Sequence, residues 1–362
     1  MVKNDTIMPL YPVLSDRQTF LLAFAKKGKS FQTKDILPLI EEKFGVSRLT
    51  VVRDLSFLEK NEILQKNGHG RSVRYELSKR YLMLENVDVQ SYFSRSLSER
   101  NARPEFNNEV FSVFDKNIFS KEESDDLKKA NANYIRTKTK LTEESPTILK
   151  KEWERLIIEL SWKSSEIEGN TYTLLETEAL LKEMRFAQGK EKAEAQMILN
   201  HKKALDFILA NKESFKEIGL DTIRKIHELL TEKIDINNDF RNHPVGITGT
   251  LYRPLPKRND IERAMKNLIA VLSGMQDPCM QAFVVLAMIA YIQPFEDGNK
   301  RTARILANAM LHANDRAMLS YRNIDALEYK KAMVLFYEQN NISYIKEIFI
   351  EQFKFSVENY FG

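Results

Sequence analysis

A chain of 362 residues has room for two or three domains, so one small binding module does not account for it. With Gly 12 and Pro 10 there are few turn-makers for a many-stranded barrel or sandwich, which points to a mainly α protein. The net charge is only +4, yet residues 1–80 hold 15 Lys+Arg against 9 Asp+Glu, a net of +6 that favours a polyanion, while the remainder sums to −2.

Residues 1–20 lack a basic stretch followed by an apolar run, so no secretion signal is expected. The longest apolar run, 282–292, is shorter than the roughly 18 residues a membrane span needs and reads as a buried helix. Cys279 is the single cysteine, which excludes an internal disulfide and a multi-thiolate zinc site and implies a reducing, cytoplasmic location. The five histidines form no H-E-x-x-H pair, and their spacing shows no Ser/His/Asp arrangement, so hydrolysis by zinc or by a triad is unsupported.

Residues 17–27, with Phe20, Leu21, Leu22 and Phe24, predict a helix ending near Gly28. A second helix follows Thr33, a candidate N-cap, and carries Ile36, Leu37, Leu39 and Ile40 before Gly45. After a short turn Ser47 is the next candidate cap, and Val51, Leu55 and Leu58 turn one helix face inward. Arg48, Thr50 and Arg53 then lie on the outer side, where side chains reach base edges and phosphates of a major groove. Two strand-like runs, 62–65 and 72–77, flank a Gly-rich cationic tip that includes Arg71, as a wing does. Together these elements resemble the winged helix-turn-helix of bacterial regulators, and residues 46–55 are similar to the DeoR-like pattern. The resemblance implies double-stranded DNA as a partner of residues 1–80; a protein-docking winged helix with a solvated charged face is the alternative.

Residues 81–146 are polar with scattered aromatics and read as an ordered, partly helical connector. The next segment, 147–168, predicts one helix with an apolar stripe through Leu149, Trp153, Leu156, Ile157 and Leu160 that continues into Ser164 and Glu168. Gly169 is a good C-cap residue. A carboxylate at a helix C-terminus opposes the macrodipole, and a buried one needs a cation, so Glu168 calls for an arginine; a frayed end in water is left open.

After the apolar helix closes at Pro294, the loop Phe295-Glu296-Asp297-Gly298-Asn299-Lys300-Arg301 leads into a second helix. Free N–H groups at a helix start form an anion site, and Arg301 and Arg304, three apart, are favourable there only beside an anion. The pattern calls for a polyphosphate, with Asp297 suited to Mg²⁺. Pairing of the two arginines with acidic neighbours is the bland alternative.

Residues 293–304 resemble the core motif of Fic (Fido) proteins, His-x-Phe-x-Asp/Glu-Gly-Asn-Gly/Lys-Arg-x-x-Arg, at every defined position except the first, where Gln293 stands. Residues 164–169 resemble the family's inhibitory motif, Ser/Thr-x-x-x-Glu-Gly/Asn, in its N-terminal position (class II). The resemblance covers roughly 90–362 and implies an all-α Fic bundle over 147–362 with an inhibitory helix at 147–168 and a connector at 81–146. It implies transfer of AMP from ATP to a Ser, Thr or Tyr hydroxyl of a protein target. Asp297 then binds Mg²⁺; Asn299 and Arg301 hold the α and β phosphates; Gly298 and Lys300 belong to the same nucleotide-binding loop; Phe295 anchors the loop; Arg304 grips the γ-phosphate; Glu168 pairs with Arg304 in the inhibited state.

Upstream, 245–252 alternates about a Gly turn and predicts a short hairpin containing Ile247, Thr248, Gly249 and Thr250, which in relatives is the flap that aligns the target by strand addition. Gln293 cannot accept a proton near pH 7, so the general-base contribution, roughly 10²–10⁴-fold, is expected to be missing. An impaired adenylyltransferase and an inactive nucleotide-sensing DNA-binding regulator therefore both follow, as does transfer of another moiety such as phosphocholine or UMP. The sequence leaves a homo-oligomer open.

Overall fold

The computed structural model describes residues 11–28 and 30–361; the leader reading at residues 1–10 lies outside them. The chain divides into two compact units, one of Met1–Asn86 with Phe119–Glu122, the other of Val87–Ile118 with Glu123–Gly362.

The first unit contains α1 (Asp16–Lys27), α2 (Thr33–Phe44), α3 (Arg48–Lys60), β1 (Leu64–Asn67), β2 (Arg74–Leu77) and α4 (Lys79–Leu84). Its core gathers Leu21, Ile36, Ile40, Val51, Leu55 and Leu58 from the three long helices with Leu64 and Tyr75 from the hairpin. Ser15 caps α1 with a reciprocal Ser15/Gln18 box, and Gly45 closes α2 at a left-handed φ of 64°. Three expectations need correction. Gln32, not Thr33, is the α2 cap, its N–H donating to Asp35 Oδ2 at 2.7 Å. The first strand begins at Leu64, because Glu62 takes a positive φ of 58° and the Ile63 N–H still donates to Leu58 O. Its partner starts at Arg74, since 70–72 form a 3₁₀ turn. Phe31 and Tyr75 exchange backbone hydrogen bonds of 2.9 and 2.7 Å, which extends the hairpin by one bridge.

In the second unit, α5 (Val89–Ser94), α6 (Val110–Val113) and α7 (Lys121–Glu144) precede α8 (Pro146–Ile167), α9 (Leu174–Glu183), α10 (Lys192–Ala210) and α11 (Leu220–Thr231). There follow α12 (Arg258–Gly274), α13 (Pro278–Ile292), α14 (Asn299–Ala313), α15 (Ala326–Gln339) and α16 (Ser343–Tyr360). The sequence of α13 is apolar all round, and a helix without a polar face is stable only inside a core; Ala282 through Ile292 are all buried. α14 packs along it, with α8, α10 and α11 against α14 and α12, α15 and α16 against α13. The loop between these two core helices is consequently held on rigid elements.

The hairpin expected over 245–252 is a turn instead: the chain reverses at Thr248–Gly249, with Gly249 at φ 84°, and no strand ladder forms there. Two short strands without a sheet behind them are marginal in water. The flanking residue Arg253 instead bridges in parallel to Glu105, its N–H donating to Pro104 O at 2.9 Å. Among the described residues, no helix is long and apolar enough to cross a membrane.

Candidate active site

α13 ends at Gln293, in the left-handed region at φ 51° and ψ 60°, and Gly298 at φ 76° caps α14. The first helical bond of α14 is Thr302 N–H to Gly298 O at 2.9 Å, so the amides of Asn299, Lys300 and Arg301 precede the ladder and face the loop. Cations at that end oppose the macrodipole, a cost that a bound anion removes.

Arg304 is wholly buried. Its Nε donates to Ser164 Oγ at 2.9 Å, Nη2 to Ser164 O at 2.8 Å, and Nη1 to Glu168 Oε1 at 2.9 Å. Its guanidinium also lies 5.4 Å from the Tyr329 ring centre. The other Glu168 oxygen meets Lys300 Nζ at 2.7 Å. Glu168 is the C-cap of α8, with Gly169 beyond it at φ 100°. Burial works against its ionisation, but Arg304 and Lys300 outweigh that and hold the carboxyl down at about 2. Thus the structure places Ser164, Glu168, Lys300 and Arg304 in one network.

Arg301 is 3% exposed and donates through Nη2 to Asp297 Oδ2 at 3.2 Å, while its buried Nη1 has no partner among the described residues. A buried donor left without an acceptor costs about 1–3 kcal/mol, so this one is kept for a ligand or water. Asn299 is engaged differently from the family expectation: its amide donates to Phe295 O and Gln293 Oε1 at 2.8 and 3.0 Å and its oxygen accepts from Phe295 N–H at 2.8 Å. Its side chain staples the loop, and only its backbone N–H is free to face an anion. The Gln293 amide is spent in the same way, its Nε2 donating to Ala290 O at 2.6 Å.

Three supporting residues carried no signal in the sequence. Arg241 is buried without a carboxylate; its Nε donates to Gln293 O and Nη1 to His243 O, both at 2.7 Å, and burial lowers it to about 10. His227 stacks on the buried Phe295 at 3.7 Å between ring centres and 7° between planes, with Nε2 3.0 Å from Asp297 O. Burial pulls this imidazole to about 4, so it is neutral and donates that hydrogen bond. His201 is fully buried beside Arg301 and Arg304, and neither ring nitrogen has a partner among the described residues. No spacing rule reaches residues whose roles come from other helices.

A cleft of about 380 Å³ opens over the loop, lined by Glu168, Gly246, Ile247, Thr248, Gln293, Asp297, Lys300, Met333 and Tyr337 among others. It thus brings Glu168, the turn before Arg253 and the loop together in a volume suited to a nucleotide-sized ligand. Gly249 and Thr250 lie beside this lining rather than in it. In the other unit Arg48, Arg53 and Arg71 are exposed, and Thr50 is half-buried with its hydroxyl 3.3 Å from that of Ser47.

Residues 217–311 match the model of the Fic/DOC family. This stretch is similar to a Fic domain. Over 172 residues the chain is 30% identical to the protein adenylyltransferase Fic of Aedes aegypti, covering 45% of this chain and 34% of that protein. The Culex quinquefasciatus protein of the same name is 31% identical over 172 residues, covering 45% of this chain and 33% of that one. The chain therefore spans about a third of the length of the curated relatives it matches. In fold, it is similar to Fic-1 of C. elegans (TM-score 0.53, 19% identity, 64% of this chain and 71% of that one). A Fic domain containing signaling protein of Bacteroides thetaiotaomicron gives a TM-score of 0.54 at 19% identity, over 64% of this chain and 95% of that one. The matched stretch holds the cleft-lining loop, while Glu168 and Ser164 reach it from α8, outside that stretch.

Proposed function

We propose that this chain is a Fic-type protein adenylyltransferase that moves AMP from ATP to a protein hydroxyl, is held off by Glu168, and is impaired by Gln293. The observation that carries the reading is the Arg304 guanidinium at the start of a buried helix, with its donors on Ser164 and Glu168 in place of a phosphate. Its support is the relatives' name and the anion-seeking geometry of 298–304.

ATP lies across the amides of 299–301, with Arg301 and Arg304 on its phosphates once Glu168 withdraws. Among the described residues, no cluster of three His, Cys, Asp or Glu groups is placed to hold a metal. The Asp297 carboxylate, 70% exposed, is a hard oxygen donor and would hold Mg²⁺ there. When bound, Mg²⁺ neutralises charge on the phosphate oxygens. The target hydroxyl approaches from the turn at 247–250, and its proton finds no side-chain acceptor at position 293 because a carboxamide is not a base near pH 7. Positioning and charge stabilisation remain, so transfer is slow rather than absent.

A Gln293→His, Glu168→Gly double variant given labelled ATP labels protein in a lysate while the parent chain labels far less. Silence from the double variant, with MgATP bound, rejects the transferase reading. A second reading, in which the same site senses nucleotide for a DNA-binding unit, is favoured by one observation: Arg48, Arg53 and Arg71 are exposed on α3 and the hairpin, whereas Asp54 is turned inward onto Arg17 at 2.8 Å. Under this reading residues 1–80 act as a winged helix-turn-helix on duplex DNA, in the cytoplasm. Fluorescence anisotropy with duplex DNA then shows affinity that falls steeply with salt.

A further inference from the structure

The stretch from Arg100 to Asn107 lies outside the matched domain, yet it is fastened at both ends to the elements that frame the cleft. The Arg103 N–H donates to Glu338 O at 2.8 Å, Gln339 Nε2 to Asn101 O at 2.6 Å, and Asn107 to Tyr291 Oη and Asn340 Oδ1, both at 2.9 Å. Phe106 stacks on Tyr291 at 4.8 Å. Between these anchors the backbone runs beside the exit of the 248–249 turn, where Arg253 N–H donates to Pro104 O at 2.9 Å and Glu105 bridges Arg253 in parallel. Arg100 completes the contact. Its Nη1 donates to Gly249 O at 3.3 Å, its guanidinium sits 4.7 Å from the Phe93 ring centre, and Nη1 is 3.8 Å from Glu338 Oε1. That carboxylate is 0% exposed and is fixed through its other oxygen by Tyr92 Oη at 2.6 Å.

We infer that residues 100–107 are a built-in strap that occupies the exit side of the flap, and that Arg100 is the positioning residue that sets the height of its turn. An extended segment added to this flap has one side left to it, along 245–248, which is also the side that lines the cleft. The inference rests on the proposed transferase reading for its purpose, since the segment to be aligned is the target's. It explains why a turn with no ladder of its own holds a defined course: the pairing partner comes from more than a hundred residues upstream. The stacking of Arg100 on Phe93 and its tether to an inward carboxylate keep the guanidinium in place while one donor remains on the turn.

Hydrogen exchange on the full chain tests this directly. Arg100→Ala accelerates exchange of the bonded amides of Tyr252 and Arg253 about tenfold, as the turn loses its charge-assisted hydrogen bond, with the amides of α13 and α14 unchanged. Arg100→Lys, which keeps a charge and a donor, restores part of the protection. Unchanged exchange at Tyr252 and Arg253 in Arg100→Ala overturns the strap, as does faster exchange spread over α13 and α14, which assigns Arg100 to the core. Calorimetry with MgATP separates the two layers of the argument. Binding equal within about twofold in the parent and in Arg100→Ala supports a role confined to the flap, and a large loss only in the variant contradicts it. Absence of MgATP binding in both even when each also carries Glu168→Gly, which frees Arg304, removes the transferase reading, while the exchange comparison still judges the strap.

Discussion

Glu168 divides its two oxygens between Arg304 and Lys300, so one carboxylate neutralises two cations of α14 at once. Its carboxyl lies at about 2 against an ordinary 4.5. A lowered folded value means that the ion pair stabilises the fold fully above pH 4.5 and that the contribution, on the order of 3 kcal/mol, fades as pH falls from 4.5 toward 2. Urea unfolding of the parent and Glu168→Gln should accordingly differ by a constant amount from pH 7 to 5 and converge below; convergence already at pH 6 contradicts the ion pair. Removing the acid as Glu168→Gly frees one Arg304 donor, and MgATP affinity is expected to rise roughly 10–100-fold by calorimetry. Ser164→Ala removes only the hydroxyl and leaves the carbonyl contact, so its gain is smaller. The ordering of these two variants is the sharper measurement, because it follows from which Arg304 nitrogen each acceptor holds.

The loop from Gln293 to Gly298 is an element held by its neighbours rather than by its own ladder. Phe295 sits under His227, Asn299 ties both backbone groups of Phe295, and Arg241 fastens the carbonyl of Gln293. Gly298 adopts φ 76°, where a side chain costs about 1–2 kcal/mol, although the nearest atoms to an added Cβ, on Arg301 and His227, stand at 3.5 Å. Gly298→Ala should therefore fold with a lowered melting temperature and bind MgATP more weakly, since the strain falls where the first amides of α14 are aimed. A variant with the parent's melting temperature and affinity shows the left-handed cap to be dispensable. The staple is legible after the fact in Phe295 and Asn299, four residues apart, but the partner that fills the space beneath the ring comes from α11 and leaves no trace in the local sequence.

At the scale of the molecule, three buried imidazoles set the acid limit. His201, His227 and His312 all sit below their ordinary value because burial disfavours the cation, His227 and His312 at about 4. Each is neutral in the fold and must charge on unfolding, so stability is complete above about pH 6.5 and declines as pH falls toward 4. Melting temperature followed from pH 7.5 to 4 should drop in that interval, and His312→Gln should flatten the fall; a flat profile in the parent contradicts this account. The interval overlaps the one assigned to Glu168 only between about pH 4.5 and 4, so the two effects separate above pH 4.5 on one axis.

Local pattern determined much of this protein: three helices and a cationic hairpin in the first unit, the all-apolar α13, the Gly298 turn into α14, and a carboxylate on the inward face of α8 that required a cation. These follow from periodicity, capping and charge, which act over a few residues and are written in order along the chain. Tertiary structure alone decided that Lys300 shares Glu168 with Arg304, that the amides of Asn299 and Gln293 are spent inside the loop, and that Arg241, His227 and His201 surround it. It also turned the expected hairpin at 245–252 into a turn whose flanking Arg253 pairs with Glu105. For Glu168, Arg241, His227 and Glu105 the deciding partner lies far along the chain, and a hydrogen bond or stacked ring is set by distance in space, which spacing along a single chain does not encode; the amides of Asn299 and Gln293 close locally, but only the folded course of the loop brings them together.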